Sequence, residues 1–91
     1  MAKNGHKICL VFIINGVDIS IEVNLDAPLI EAVQRVLEES NNTGRPPEEW
    51  EVRNVDGVLL EMNRTPKELN LQEGARLFLS LRVGAGGIDQ G

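Results

Sequence analysis

The run "KICLVFIINGVDISIEVN", residues 7–24, can fold in few ways. Two stretches rich in β-branched residues flank Asn15-Gly16, and Asn-Gly is the dipeptide that best tolerates positive φ at both centres of a type I′ turn. A two-residue loop sets the register. It places Ile14 opposite Val17, Phe12 opposite Ile19, Leu10 opposite Ile21 and Ile8 opposite Val23, all on one side, which is therefore the predicted core face. The other side carries Cys9, Val11 and Ile13 from the first strand and Asp18, Ser20 and Glu22 from the second. A strand apolar on both faces is predicted to lie within a sheet rather than at its edge.

"DAPLIEAVQRVLEES" reads as one amphipathic helix, with Asp26 as N-cap, Pro28 in the first turn, and Leu29, Ile30, Val33, Val36 and Leu37 at helical spacing. The loop "NNTGRPPEE" leads to a short strand with Trp50 and Val52 on one face. A turn at Asp56-Gly57 and a second short strand follow. In "RTPKELNLQEG" Leu69 and Leu71 are predicted to tuck under the sheet before a turn on Gly74. The last strand, "ARLFLSLRV", directs Leu77, Leu79 and Leu81 inward and leaves Arg76, Phe78, Ser80 and Arg82 outside. One apolar sheet face and one helix pack most simply with the final strand beside the first, giving an α+β domain without repeats.

Composition removes several classes of function. A chain of 91 residues supports one core, burying roughly 60 to 65% of its unfolded surface. The single cysteine, Cys9, makes no disulfide within the chain and, without clustered histidines, no metal site of the usual spacing. Fourteen acidic residues against nine basic give a net charge of −5, and no block of lysine or arginine is present to neutralise phosphates, so nucleic acid is not an expected partner. The N-terminus has neither the apolar length of a membrane span nor a cleavage site, and the chain reads as cytoplasmic with no membrane partner. Glu38-Glu39 and Glu48-Glu49 read as solvated charge, and His6 as a solvated residue. Trp50 reads as core or rim, and Cys9 has no base placed to activate it. No catalytic residues and no cofactor are expected. The chain is expected to be a substrate of enzymes rather than an enzyme, and a monomer when free.

After Arg82 the sequence becomes "VGAGGIDQG", in which Gly84, Gly86, Gly87 and Gly91 account for four of the nine glycines in the chain. The "ISIEVN" strand, the "VDGVLLEMNRTPKELNLQEGARLFL" run, and Leu81-Arg82 followed by Gly86-Gly87 together resemble the ubiquitin-like β-grasp modifiers. The resemblance covers residues 7 to 87. It implies a mixed sheet of four to five strands on one helix, with residues 1–6 a flexible N-terminus, 7–83 the domain and 84–91 a flexible tail. Among relatives, the bacterial ubiquitin-like proteins encoded with an activating enzyme, a conjugating enzyme and a zinc-dependent isopeptidase are the most similar in pattern.

The resemblance also gives the tail a role. Ubiquitin-like modifiers end in a di-glycine whose carboxylate is adenylated and then transferred to a target. Glycine suits that step because a backbone without side chains can enter a narrow channel in any conformation the channel requires. Gly86 and Gly87 are the expected conjugation and processing residues, and Arg82, Val83, Gly84 and Ala85 the residues by which the tail is recognised. Ile88 to Gly91 imply a precursor cleaved after Gly87. "LRVGAGG" differs from the "LRLRGG" of ubiquitin in length and in lacking the second arginine, which implies a dedicated set of enzymes. The expected partners are the activating enzyme, which uses the ATP, the conjugating enzyme, the processing isopeptidase and the target proteins. Val11, Ile13, Arg53, Phe78 and Ser80 are expected to form a partner-binding patch, with Arg82 near its rim. Two other readings stay open: a sulfur carrier with a C-terminal thiocarboxylate, and a binding module that borrows the fold without being conjugated.

Overall fold

The computed structural model describes residues 6–82. Strands β1 (Lys7–Ile14) and β2 (Val17–Asn24) precede helix α1 (Leu29–Glu39). A 3₁₀ turn over Pro47–Glu49 leads into β3 (Trp50–Arg53), followed by β4 (Leu59–Leu60) and β5 (Ala75–Leu81). The five strands form one mixed sheet in the order β2-β1-β5-β3-β4. Among the described residues β1 and β5 pair in parallel and the other strand pairs are antiparallel. The first hairpin has the register that Asn15-Gly16 dictates, with Ile14, Phe12, Leu10 and Ile8 opposite Val17, Ile19, Ile21 and Val23. Both turn residues have positive φ, 52° at Asn15 and 79° at Gly16.

One face of the sheet is sealed by the helix. Leu10, Phe12 and Ile14 of β1 pack with Ile21 and Val23 of β2, Val52 of β3 and Leu77 and Leu79 of β5. Against them lie Leu29, Ala32, Val33, Val36 and Leu37 of α1. Ala32, absent from the predicted apolar stripe, is in the core, whereas Ile30 is only half-buried. Leu69 and Leu71 pack under the sheet as expected.

Two strand-end residues depart from the inward positions predicted for them. Leu81 is 42% exposed. The pairing with β1 stops at Ile14↔Leu79, so Leu81 extends past the core and faces only Trp50 across β3. Val17, paired with Ile14 beside the hairpin turn, is also exposed, because it starts β2, an edge strand of the sheet.

The helix start also differs. Asp26 is not the N-cap: α1 begins at Leu29 with Pro28 before it, and no side chain caps it. The Asp26 N–H is instead held by the side chain of Asn24 at 2.8 Å. The leading amides of α1 are satisfied from another part of the chain, Leu29 N–H donating to the Arg64 carbonyl and Ile30 N–H to the Met62 carbonyl, both at 2.9 Å. This removes the need for a side-chain cap. The accepting segment is fixed by a reciprocal pair. Thr65 N–H donates to the Glu68 carboxylate and Glu68 N–H to the Thr65 hydroxyl, each at 3.1 Å, the pattern of a capping box.

Leu79, 5% exposed, lies in the central strand with Ile14 and Val52 on either side. Leu79→Ala is expected to lower unfolding stability by about 2 to 5 kcal/mol, to be read from chemical denaturation or a melting curve.

Candidate partner-binding face

The pleat of β5 divides its side chains. With Leu77 and Leu79 committed to the core, Phe78 must point to the side of the sheet away from α1, where it is 41% exposed. Its neighbours follow from register alone. Ile13 is its partner on β1 and Arg53 its partner on β3, while Asp18 stands beyond Ile13 and Leu59 beyond Arg53. One residue row away Val11 stands beside Arg76, and on the other side Ser80 stands beside Glu51. Val11, Ile13 and Phe78 therefore converge, with Arg53 and Ser80 adjoining them.

Charge around this centre is arranged in pairs. Arg76 bonds Asp18 and Arg53 bonds Glu51, each at 3.1 Å. These partly exposed contacts are each worth about 0 to 1 kcal/mol. They leave an apolar centre with a polar border, the distribution found at protein interfaces. Removing a fully covered phenylalanine from water is worth roughly 1.5 to 3 kcal/mol.

Arg82 does not belong to the border of this face. Its Nε donates to the Glu48 carbonyl at 3.0 Å and its backbone N–H to the Glu49 carbonyl at 2.8 Å, which holds it against the 3₁₀ turn. The β3–β5 ladder runs one pair further than the strands themselves and captures the side chain there. Val83, Gly84, Ala85, Gly86 and Gly87 lie outside the described residues, as do the expected flexible tail 84–91 and all of the expected flexible N-terminus 1–6 except His6, whose carbonyl accepts from Leu25 N–H at 2.7 Å. Val55, Val58 and Leu59, all exposed, add an apolar edge at the β3–β4 hairpin that sequence reasoning passed over. The clue was present in "NVDGVLL", where Asn54 closes the loop by accepting from Asp56 and Val58 N–H and so turns the valines outward.

Cys9 lies on the same face and is exposed. Its backbone N–H donates to the Glu73 carboxylate at 3.1 Å. That carboxylate, first by its charge, pushes the thiol above its ordinary pKa, with desolvation, a hydrogen bond to Glu73 and the charge of Glu22 acting in the same direction. The thiolate, which is the nucleophilic form, is thereby disfavoured. Trp50 is in the core as expected, and its indole N–H is buried without a hydrogen-bond partner. No helix among the described residues is long and apolar enough to cross a membrane.

This architecture is the ubiquitin β-grasp. A de novo design based on ubiquitin superposes with a TM-score of 0.75 at 25% identity, over 92% of this chain and 99% of the design. The ubiquitin of Caldiarchaeum subterraneum superposes with a TM-score of 0.69 at 19% identity, over 89% of this chain and 99% of that protein, a likeness of fold. By sequence, residues 3–87 match the family described as "Protein of Unknown function (DUF2604)", and the chain belongs to that family. It is also 31% identical over 81 residues to the uncharacterized protein y4jI of Sinorhizobium fredii. The match covers 89% of this chain and 62% of that protein's length.

Because the Glu73 carboxylate raises the Cys9 pKa, Glu73→Gln is expected to lower it toward the ordinary value and to speed alkylation by iodoacetamide near neutral pH. The amide oxygen can still accept the Cys9 N–H, so the fold is retained. Alkylation rates measured by mass across a pH series check the direction.

Proposed function

We propose that this chain is a ubiquitin-like protein modifier. It is made as a precursor, cleaved after Gly87 by a processing isopeptidase, and activated at the Gly87 carboxylate before transfer to target proteins. The observation that carries the reading is where the last strand ends. In a β-grasp domain whose central strand finishes at Leu81, the sequence continues as Arg-Val-Gly-Ala-Gly-Gly. The family match also stops at Gly87 and leaves Ile88 to Gly91 outside it.

In this reading the Gly87 carboxylate attacks the α-phosphate of ATP on the activating enzyme and releases pyrophosphate. A partner thiolate displaces AMP to give a thioester, and a target nucleophile displaces the thiol. The chain itself supplies no catalytic group, and the ATP belongs to its partner. Glycine at the last two positions suits a narrow channel, since no side chain restricts the approach. Arg82 to Ala85 carry the recognition of the tail, and the face around Phe78 holds the domain on its enzymes. Both elements belong to β5 or follow from it, so an enzyme gripping that face has the tail within reach.

The test is made in the source cells with an N-terminally tagged chain, analysed under denaturing conditions. The wild type is expected to form covalent adducts of higher mass, and Gly87→Ala to abolish adducts while melting like the wild type. Undiminished adducts from Gly87→Ala would refute the reading. A mass change of oxygen to sulfur at the trimmed terminus, with no adducts, would favour a sulfur carrier instead.

Phe78→Ala is expected to leave the melting temperature close to wild type and to weaken binding to the activating or conjugating enzyme by about tenfold or more. If it melts as poorly as Leu79→Ala, the face is not the binding surface.

A further inference from the structure

Beyond Leu79 the last strand is held from one side. Its pairing with β1 ends at Ile14↔Leu79, while on β3 Glu51 still faces Ser80 and Trp50 faces Leu81. Leu81 is 42% exposed, so apolar packing holds this stretch only weakly. A strand end with one neighbour and little buried surface opens more readily than the strand behind it.

Arg82 secures that end. In the 3₁₀ turn over Pro47–Glu49, the Pro46 carbonyl accepts from Glu49 N–H and the Pro47 carbonyl from Trp50 N–H. The carbonyls of Glu48 and Glu49 come last in the turn and find no partner inside it, as at the C-terminal end of any helical turn. Arg82 supplies both. Its Nε donates to the Glu48 carbonyl at 3.0 Å and its backbone N–H to the Glu49 carbonyl at 2.8 Å. The turn is further braced by the Arg45–Glu49 ion pair at 3.1 Å. One residue thus closes the end of the turn and pins the end of the strand.

The pin sets how far Gly87 can stand from the domain. Val83 to Gly87 are five residues, which reach at most about 17 Å when fully extended. Were the strand to come away as far as Leu79, Ser80 to Gly87 would be eight residues, with a reach of about 27 Å. A longer tether spreads the terminal carboxylate through a larger volume and lowers its effective concentration at any one point fixed on the domain.

We propose that Arg82 is a positioning residue for the tail. Its two bonds to the 3₁₀ turn fix the point at which the chain leaves the domain, and so the range over which Gly87 is presented to an enzyme seated on the face around Phe78. The inference rests on the modifier reading and deepens it. Arg82 contributes to recognition of the tail by setting where the tail starts, through a donor turned toward the domain, rather than by offering its charge to the enzyme.

Two substitutions separate the donor from the charge. The side-chain nitrogen of glutamine and the Nε of arginine are both bonded to Cδ, so Arg82→Gln keeps an N–H donor in the same place and removes the charge. Arg82→Lys keeps the charge and moves the donor one atom further out. The first readout is hydrogen exchange of the backbone amide at position 82 in the purified full chain, as a protection factor relative to the unstructured sequence. Arg82→Ala is expected to lower protection about tenfold, and Arg82→Gln to restore most of it, with every variant melting like the wild type. The second readout is adduct yield in the source cells from the N-terminally tagged chain. It is expected to fall several-fold in Arg82→Ala and in Arg82→Lys and to be largely rescued in Arg82→Gln. Unchanged protection in Arg82→Ala overturns the proposal. So does a yield that follows charge, with Arg82→Lys like the wild type and Arg82→Gln as low as Arg82→Ala. A wild type that forms no adducts refutes the modifier reading and this inference with it, whereas wild-type adducts with either overturning result refute this inference alone.

Discussion

The parallel pairing of β1 with β5 is the interaction on which the rest of the molecule depends. Leu10 to Ile14 bond alongside Ala75 to Leu79, residues at opposite ends of the described chain. Antiparallel hairpins form locally, but this pair requires the whole intervening chain, helix included, to have crossed the sheet. Once made, it puts β5 at the centre of five strands and closes the core over α1. It also fixes the direction in which the chain leaves the sheet. Because β5 runs parallel to β1, its C-terminal end lies at the same end of the sheet as the Asn15-Gly16 turn, and the tail begins there.

The same pairing gives β5 two roles through one pleat. Leu77 and Leu79 are buried between Phe12, Ile14 and Val52, while Phe78, between them in sequence, stands outside with Ile13 and Arg53. A one-residue slip would exchange those faces, placing a phenylalanine in space built for leucines and two leucines in water. The core therefore enforces the outer face. No separate device is needed to keep Phe78 presented, and its position relative to the start of the tail is as fixed as the hydrogen-bond ladder.

Much of this was legible in the sequence. Asn15-Gly16 specified both turn and register, and the alternation in "ARLFLSL" separated Leu77 and Leu79 from Phe78, because a two-residue period is read directly from side-chain type. What could not be read depended on partners distant in sequence. Asp26 looked like an N-cap, but the α1 amides are received by carbonyls at residues 62 and 64, and no local pattern announces that. Leu81 fits the inward alternation yet lies past the last β1 pair, and the length of β1 is not encoded in β5. Arg82 looked like a border residue of the outer face until the 3₁₀ turn supplied carbonyls to hold it elsewhere.

The central claim is that a rigid β-grasp domain presents Gly87 as the atom-level point of attachment. Tandem mass spectrometry of adducts purified under denaturing conditions from the source cells tests this directly, by identifying the bond that joins the chain to its target. The account requires a linkage through the carbonyl carbon of Gly87, with Ile88 to Gly91 absent from every adduct. A linkage through Gly91, or through the side chain of Asp89, would contradict it.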